Sequence, residues 1–143
     1  MDNFECNTID RQLIDKLATF LPKKIFDAHA HLYDAAFIPN MYDPESNIIC
    51  HPRLGIDDYL KYQGTLFPDA GQVRVNILTM PDRAMADRSN GLRDASVRFL
   101  AGQLAQCPDH VGEVFVLPDD TVDEIESLLV HPNIRGFKCY HLV

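Results

Sequence analysis

Four short apolar runs, each about as long as a strand and separated by helix-like stretches, limit what this chain can fold into. They lie at residues 25–32, 73–80, 111–117 and 134–140 and are rich in Val, Ile, Leu and Phe. Pro81 and Pro118 stop the second and third, because proline lacks the N–H a sheet needs. Short apolar runs alternating with amphipathic helices predict βαβ units, a parallel sheet and right-handed crossovers. The fold class expected is therefore α/β, with about four parallel strands.

The helical stretches carry their own signals. Ile9, Leu13, Ile14, Leu17, Phe20 and Leu21 recur at helical spacing over residues 8–21, with Thr8 or Asp10 as cap and Pro22 as stop. A second helix is expected over 56–62, ending before Gly64. A third covers about 91–106, capped by Ser89 or Asn90, with Leu92, Ala95, Phe99, Leu100 and Leu104 as its apolar stripe. Thr121 and Glu124 match a capping box for a fourth, whose stripe is Val122, Ile125, Leu128 and Leu129. Asp119, Asp120 and Asp123 are placed to favour the positive end of that helix dipole.

Length and charge exclude several function classes. The 143 residues are one domain's worth of chain, and 46% hydrophobic with 24% charged is ordinary for a globular protein. A net charge of −8 argues against a nucleic-acid or anionic-membrane surface, which needs clustered Lys and Arg. No apolar run approaches the roughly 18 residues of a transmembrane helix, and the polar start Met1-Asp2-Asn3 is unlike a signal peptide. Cys6, Cys50, Cys107 and Cys139 are widely spaced, as expected of free thiols in a cytoplasmic protein.

The first strand carries the chemistry. In regular alternation Ile25, Asp27, His29 and His31 share one face, and Phe26, Ala28 and Ala30 the other. Two residues of rise, about 6.5 Å, let both imidazoles converge on one ion at bonds of about 2.0–2.1 Å. Otherwise each buried histidine would need its own hydrogen-bond partner. The stretch between Leu32 and Val73 far exceeds the roughly 2–6 residues of an ordinary strand-to-helix connection. It is rich in turn formers, and a long loop directly after metal ligands is suited to building a substrate pocket or to being a mobile insertion. His51 lies in it, as a surface or turn histidine or a substrate contact.

Asp27-x-His29-x-His31, within Phe26-Asp27-Ala28-His29-Ala30-His31-Leu32, resembles the first-strand signature of the amidohydrolase superfamily, and most of all its amidohydrolase-related branch. Uronate isomerases of the same superfamily carry a similar segment. Downstream, a helix, Cys107-Pro108-Asp109, a strand, Pro118-Asp119, an acidic-capped helix and Ile134-Arg135-Gly136-Phe137-Lys138 follow the order of that branch, so the resemblance spans residues 25 to 141. It implies a TIM barrel with a metal at its C-terminal mouth. A whole barrel takes about 250 residues and eight strands. Residues 1–143 then correspond to the N-terminal half, an incomplete barrel or fragment. The family's strand-five metal histidine and strand-eight catalytic aspartate fall outside the four strands.

What the resemblance implies for function is metal-dependent hydrolysis of a carbonyl-type small molecule. His29 and His31 are the implied ligands, and Asp27 either orients a histidine or simply occupies a polar strand position. The divalent ion is zinc first, with manganese, iron or cobalt open. Some amidohydrolases bridge two metals with a carboxylated strand-four lysine, and Lys138 stands where such a residue would. The plainer reading is an amine paired with a carboxylate or substrate. Relatives that decarboxylate or isomerise uronic acids leave the reaction type open, and a non-catalytic half-barrel interaction module is a further alternative. An open half-sheet would also favour homo-oligomers or aggregation. A doubly wound nucleotide-binding domain is disfavoured, because no G-x-G-x-x-G or G-x-x-x-x-G-K-[ST] follows any strand.

Overall fold

Asn7 opens the first helix one residue earlier than the expected caps. In the computed structural model, which describes residues 6–45 and 51–140, its side-chain oxygen accepts the N–H groups of Ile9 and Asp10 at 2.8 and 3.0 Å. The Asp10 carboxylate returns the bond to the Asn7 N–H, completing a capping box over α1 (Thr8–Ala18). Helix α1 buries only Ile14; Ile9, Leu13 and Phe20 of the expected stripe are more than half exposed.

Strand β1 (Lys24–Asp34) follows, and a two-residue strand β2 (Arg53–Leu54) returns antiparallel to its end. Two residues carry no readable periodicity, so β2 has no sequence signature. Helix α2 (Ile56–Leu66) runs through Gly64 rather than stopping before it. An interior glycine costs about 1 kcal/mol relative to alanine, less than the burial of Ile56 and Tyr59 supplies. Gly55 precedes the helix where Gln103 Oε1 accepts the Ile56 N–H at 2.8 Å, and a Cβ on Gly55 would come within 2.9 Å of that oxygen.

Strand β3 (Gln72–Thr79) leads through two short 3-10 turns, opened by Asp82 and Asp87, to helix α3 (Leu92–Ala105). Gly91 takes φ +69 at that junction, a left-handed value that glycine adopts without steric cost, and Asn90 accepts the Leu92 N–H. Strand β4 (Val111–Val116), helix α4 (Val122–Leu128) and strand β5 (Ile134–Cys139) complete the order, with the Thr121–Glu124 capping box in place.

The sheet order is β2-β1-β3-β4-β5, and all pairs except β2 with β1 are parallel. This is a mixed α/β fold with an open, mostly parallel sheet. Ile56 and Tyr59 of α2, Val97, Leu100 and Leu104 of α3, and Leu128 of α4 join one core with Val75, Ile77, Val114 and Val116. The three helices thus cover one face of the sheet. Each fully buried aliphatic side chain contributes about 1.5–3 kcal/mol, enough to fix the side on which the crossovers pass. A second cluster, built on Tyr33, Ile38, Met85, Phe115 and Leu117, packs the loops over the C-terminal ends of the strands.

Among the described residues Cys6, Cys107 and Cys139 are free, and no helix is long and apolar enough to cross a membrane. Cys50 and His141 lie outside the described residues.

Candidate metal centre

The face away from the helices carries the histidines, and a bulge in β1 puts them there. Asp27 is in register with Val75, but the next matched pair is Ala30 with Ile77. Ala28 and His29 therefore stand together opposite Asn76, one residue too many for regular pairing. Val75 and Ile77 both face the helices, so Asp27, Ala30 and Leu32 do as well, while His29 and His31 turn to the other side. The alternation expected over 25–31 breaks at this point. Asp27 does not share the histidine face.

On that face the two rings meet in a T-shaped contact, at 63° between planes, with His29 Nε2 and His31 Nε2 3.1 Å apart. His31 Nδ1 lies 3.2 Å from the carbonyl oxygen of Leu78 on β3. A carbonyl only accepts, so Nδ1 carries the proton and the Nε2 of neutral His31 presents a lone pair. Burial lowers the His31 pKa, the neighbouring His29 and the Lys138 charge lower it further, and the Leu78 and Thr79 backbone oppose them. The net effect favours the neutral ring, the form that binds metals.

The pair fits a shared cation. Two nitrogens bound at about 2.0–2.1 Å, with angles between a right angle and a tetrahedral one, stand about 2.8–3.4 Å apart. The observed 3.1 Å falls within that span. An imidazole whose other nitrogen is tied to a backbone carbonyl is the arrangement that orients a metal-ligating histidine. The same distance also suits a hydrogen bond from His29 Nε2–H to His31 Nε2 in the absence of a cation. Among the described residues no group of three or more His, Cys, Asp or Glu converges, so the pair supplies two ligand positions.

The remaining sequence candidates are distributed around the pair. Lys138 is on the histidine face, in register with Phe115, with its amine 6.0 Å from the Tyr140 ring centroid and close enough to His31 to act on its charge. Asp27 lies behind the pair: its Oδ1 accepts the His29 backbone N–H at 3.1 Å, and its Oδ2 accepts the Tyr59 hydroxyl at 2.7 Å and Gln63 Nε2 at 3.3 Å. His51 is exposed and joins no cluster with the pair.

Sequence reading missed two polar groups on the same face, Asn76 and Glu113. Asn76 Nδ2 donates to Glu113 Oε1 at 2.8 Å. The Glu113 side chain lies over Gly136, where a Cβ would come within 3.2 Å of its Cγ. Asparagine and glutamate breaking apolar strand runs were the available signal. Tyr59 and Gln63 were missed because at i and i+4 on α2 they read as ordinary positions of an amphipathic helix. Comparison with family models, curated proteins and solved structures finds no match for this chain.

Proposed function

We propose that this chain is the N-terminal half of a metal-dependent hydrolase barrel of the amidohydrolase-related type, with His29 and His31 holding a divalent cation, zinc foremost. The observation that carries the reading is the 3.1 Å convergence of the two Nε2 atoms, with His31 Nδ1–H committed to the Leu78 carbonyl. Parallel strands β1, β3, β4 and β5 side by side in chain order, with helices on one face, are also what half of such a barrel requires. When bound, the ion would lower the pKa of its water to near neutrality and polarise a carbonyl-type substrate.

The chain's own residues have separable tasks in this reading. His29 and His31 bind through Nε2; the Leu78 carbonyl holds the His31 ring in one tautomer. The half-buried Lys138 adds positive charge to the same face, where it can meet a substrate carboxylate or, once carboxylated, bridge a second ion. Glu113 and Asn76 are polar groups on that face available to a bound small molecule.

Metal content by mass spectrometry tests the reading on wild type, His29→Ala/His31→Ala and Lys138→Met. Wild type should retain zinc or cobalt and the double histidine variant should not. Equal content in those two refutes the site. Loss of half the metal in Lys138→Met would assign that lysine as a bridging ligand.

A further inference from the structure

We propose that Tyr59, together with Gln63, is a positioning residue for the histidine pair, acting by holding Asp27 in the bulge of β1. The argument begins with strand phase. Ile25 and Asp27 are in register with Val73 and Val75, on the helix-covered side. Continued at period two, that phase would turn His29 and His31 into the helices and Ala30 and Leu32 to the opposite face. The extra residue at Ala28–His29 reverses the phase. It is the device by which one strand places Asp27 against α2 and both imidazoles on the other side.

Asp27 is where that device is held. Its Oδ1 accepts the N–H of His29, inside the bulge, and its Oδ2 accepts from Tyr59 and Gln63, both more than nine-tenths buried on α2. Gln63 Nε2 also donates to the Tyr59 oxygen at 2.8 Å, closing a triangle of side chains. Among the described residues no cation pairs with Asp27, so neutral, directional donors hold its carboxylate in position. The Gln63 amide is oriented for this purpose. Its Oε1 is buried with no hydrogen-bond partner among the described residues, and the flipped amide would set that oxygen against the Asp27 carboxylate. Helix α2 thus reaches the histidines through the Asp27 carboxylate.

The inference rests on the metal reading only where affinity is concerned, so the experiment has two arms. Long-range 1H–15N spectra of the imidazoles in the metal-free 143-residue chain report the His31 Nδ1–H tautomer and the His29–His31 contact. Cobalt(II) titration reports affinity. Tyr59→Phe and Asp27→Ala should both lose the wild-type ring signature while remaining folded, and should weaken cobalt binding about 10–100-fold, as removal of supporting partners does. Asp27→Asn keeps one acceptor oxygen and should fall between. If Asp27→Ala does not fold, Tyr59→Phe, which deletes one oxygen atom, decides alone. Wild-type ring spectra in folded Tyr59→Phe would overturn the proposal. Failure of wild type itself to take up cobalt would overturn the metal reading, and the ring spectra would still decide the positioning role.

Discussion

The buried ion pair between α3 and the turn after β4 supports a quantitative prediction. Arg93 grips Asp120 with both terminal nitrogens, Nη1 to Oδ1 and Nη2 to Oδ2, each at 2.6 Å. The Asp120 side chain is fully buried and that of Arg93 is 10% exposed. Asp120 also accepts the Leu117 N–H at 2.7 Å, and Arg93 donates to the Phe115 carbonyl at 3.3 Å while lying over its ring. Such a pair contributes little compared with an apolar replacement, but breaking it on one side strands a buried charge at about 3–5 kcal/mol. Asp120→Asn keeps one acceptor oxygen but removes the charge and sets an amide N–H against the other Arg93 nitrogen, and should cost about 4 kcal/mol. Arg93→Met leaves Asp120 with Arg88 at 2.9 Å, so its cost should sit near the lower bound of about 3 kcal/mol. The double variant should cost clearly less than the sum, with coupling of about 1–3 kcal/mol.

Urea unfolding followed by circular dichroism at pH 7 measures all three variants, and acid supplies a second check. Burial alone would raise the Asp120 pKa, but the bonds from Arg93 and the Leu117 N–H outweigh it and hold it below the ordinary carboxylate value. A depressed folded-state pKa means stability present above the unfolded value of about 3.9 and lost as pH falls through the lower folded one. Wild type should therefore lose this contribution on acidification below about pH 4, and Asp120→Asn should lack that part of the slope. Single variants costing under about 1 kcal/mol and adding without coupling would refute the account.

Two further outcomes follow from the packing and the caps. Gly112→Ala should destabilise by about 1–3 kcal/mol in the same urea assay, because its Cβ would come 2.5 Å from Leu104 Cδ1 and 3.3 Å from the Ile77 carbonyl oxygen. Glu124 should titrate far below an ordinary glutamate in carboxyl-detected NMR, at about 2, because the Thr121 backbone and hydroxyl and then Arg88 bind its carboxylate; Thr121→Ala should raise that value.

What the sequence revealed depended on whether a feature changes residue type over several positions. Parallel strands buried among helices must be apolar along their length, so β1, β3, β4 and β5 stood out as runs. The Thr121–Glu124 box is a pair of residue types at fixed spacing and was equally readable. Asp120 shows the opposite case. Its place beside a helix start suggested a role at the dipole, but Arg93, 27 positions away, claims it as a buried partner. The periodicity of α1 predicts an amphipathic element with a stripe to bury, and the structure leaves Ile9, Leu13 and Phe20 exposed, because periodicity states that a helix has an apolar face and not what covers it.

The candidate site joins both cases within one strand. His29 and His31 at spacing two share a face whatever the strand's phase, so their convergence could be read from residue order alone. Which face they take depends on one inserted residue, and an insertion leaves no trace in composition or period. Asp27 shows the cost of that silence: two positions from His29, regular alternation places it on the histidine side, whereas its carboxylate points to Tyr59 and Gln63 on α2. Only the pairing of β1 with β3 exposes the shift, since Asp27 matches Val75 and Ala30 matches Ile77. The carboxylate that a one-strand reading would set beside the imidazoles is instead the link between them and the helix layer. The convergence of the two imidazoles was thus legible from β1 alone, while the residues that hold Asp27 lie on α2, in types that announce nothing.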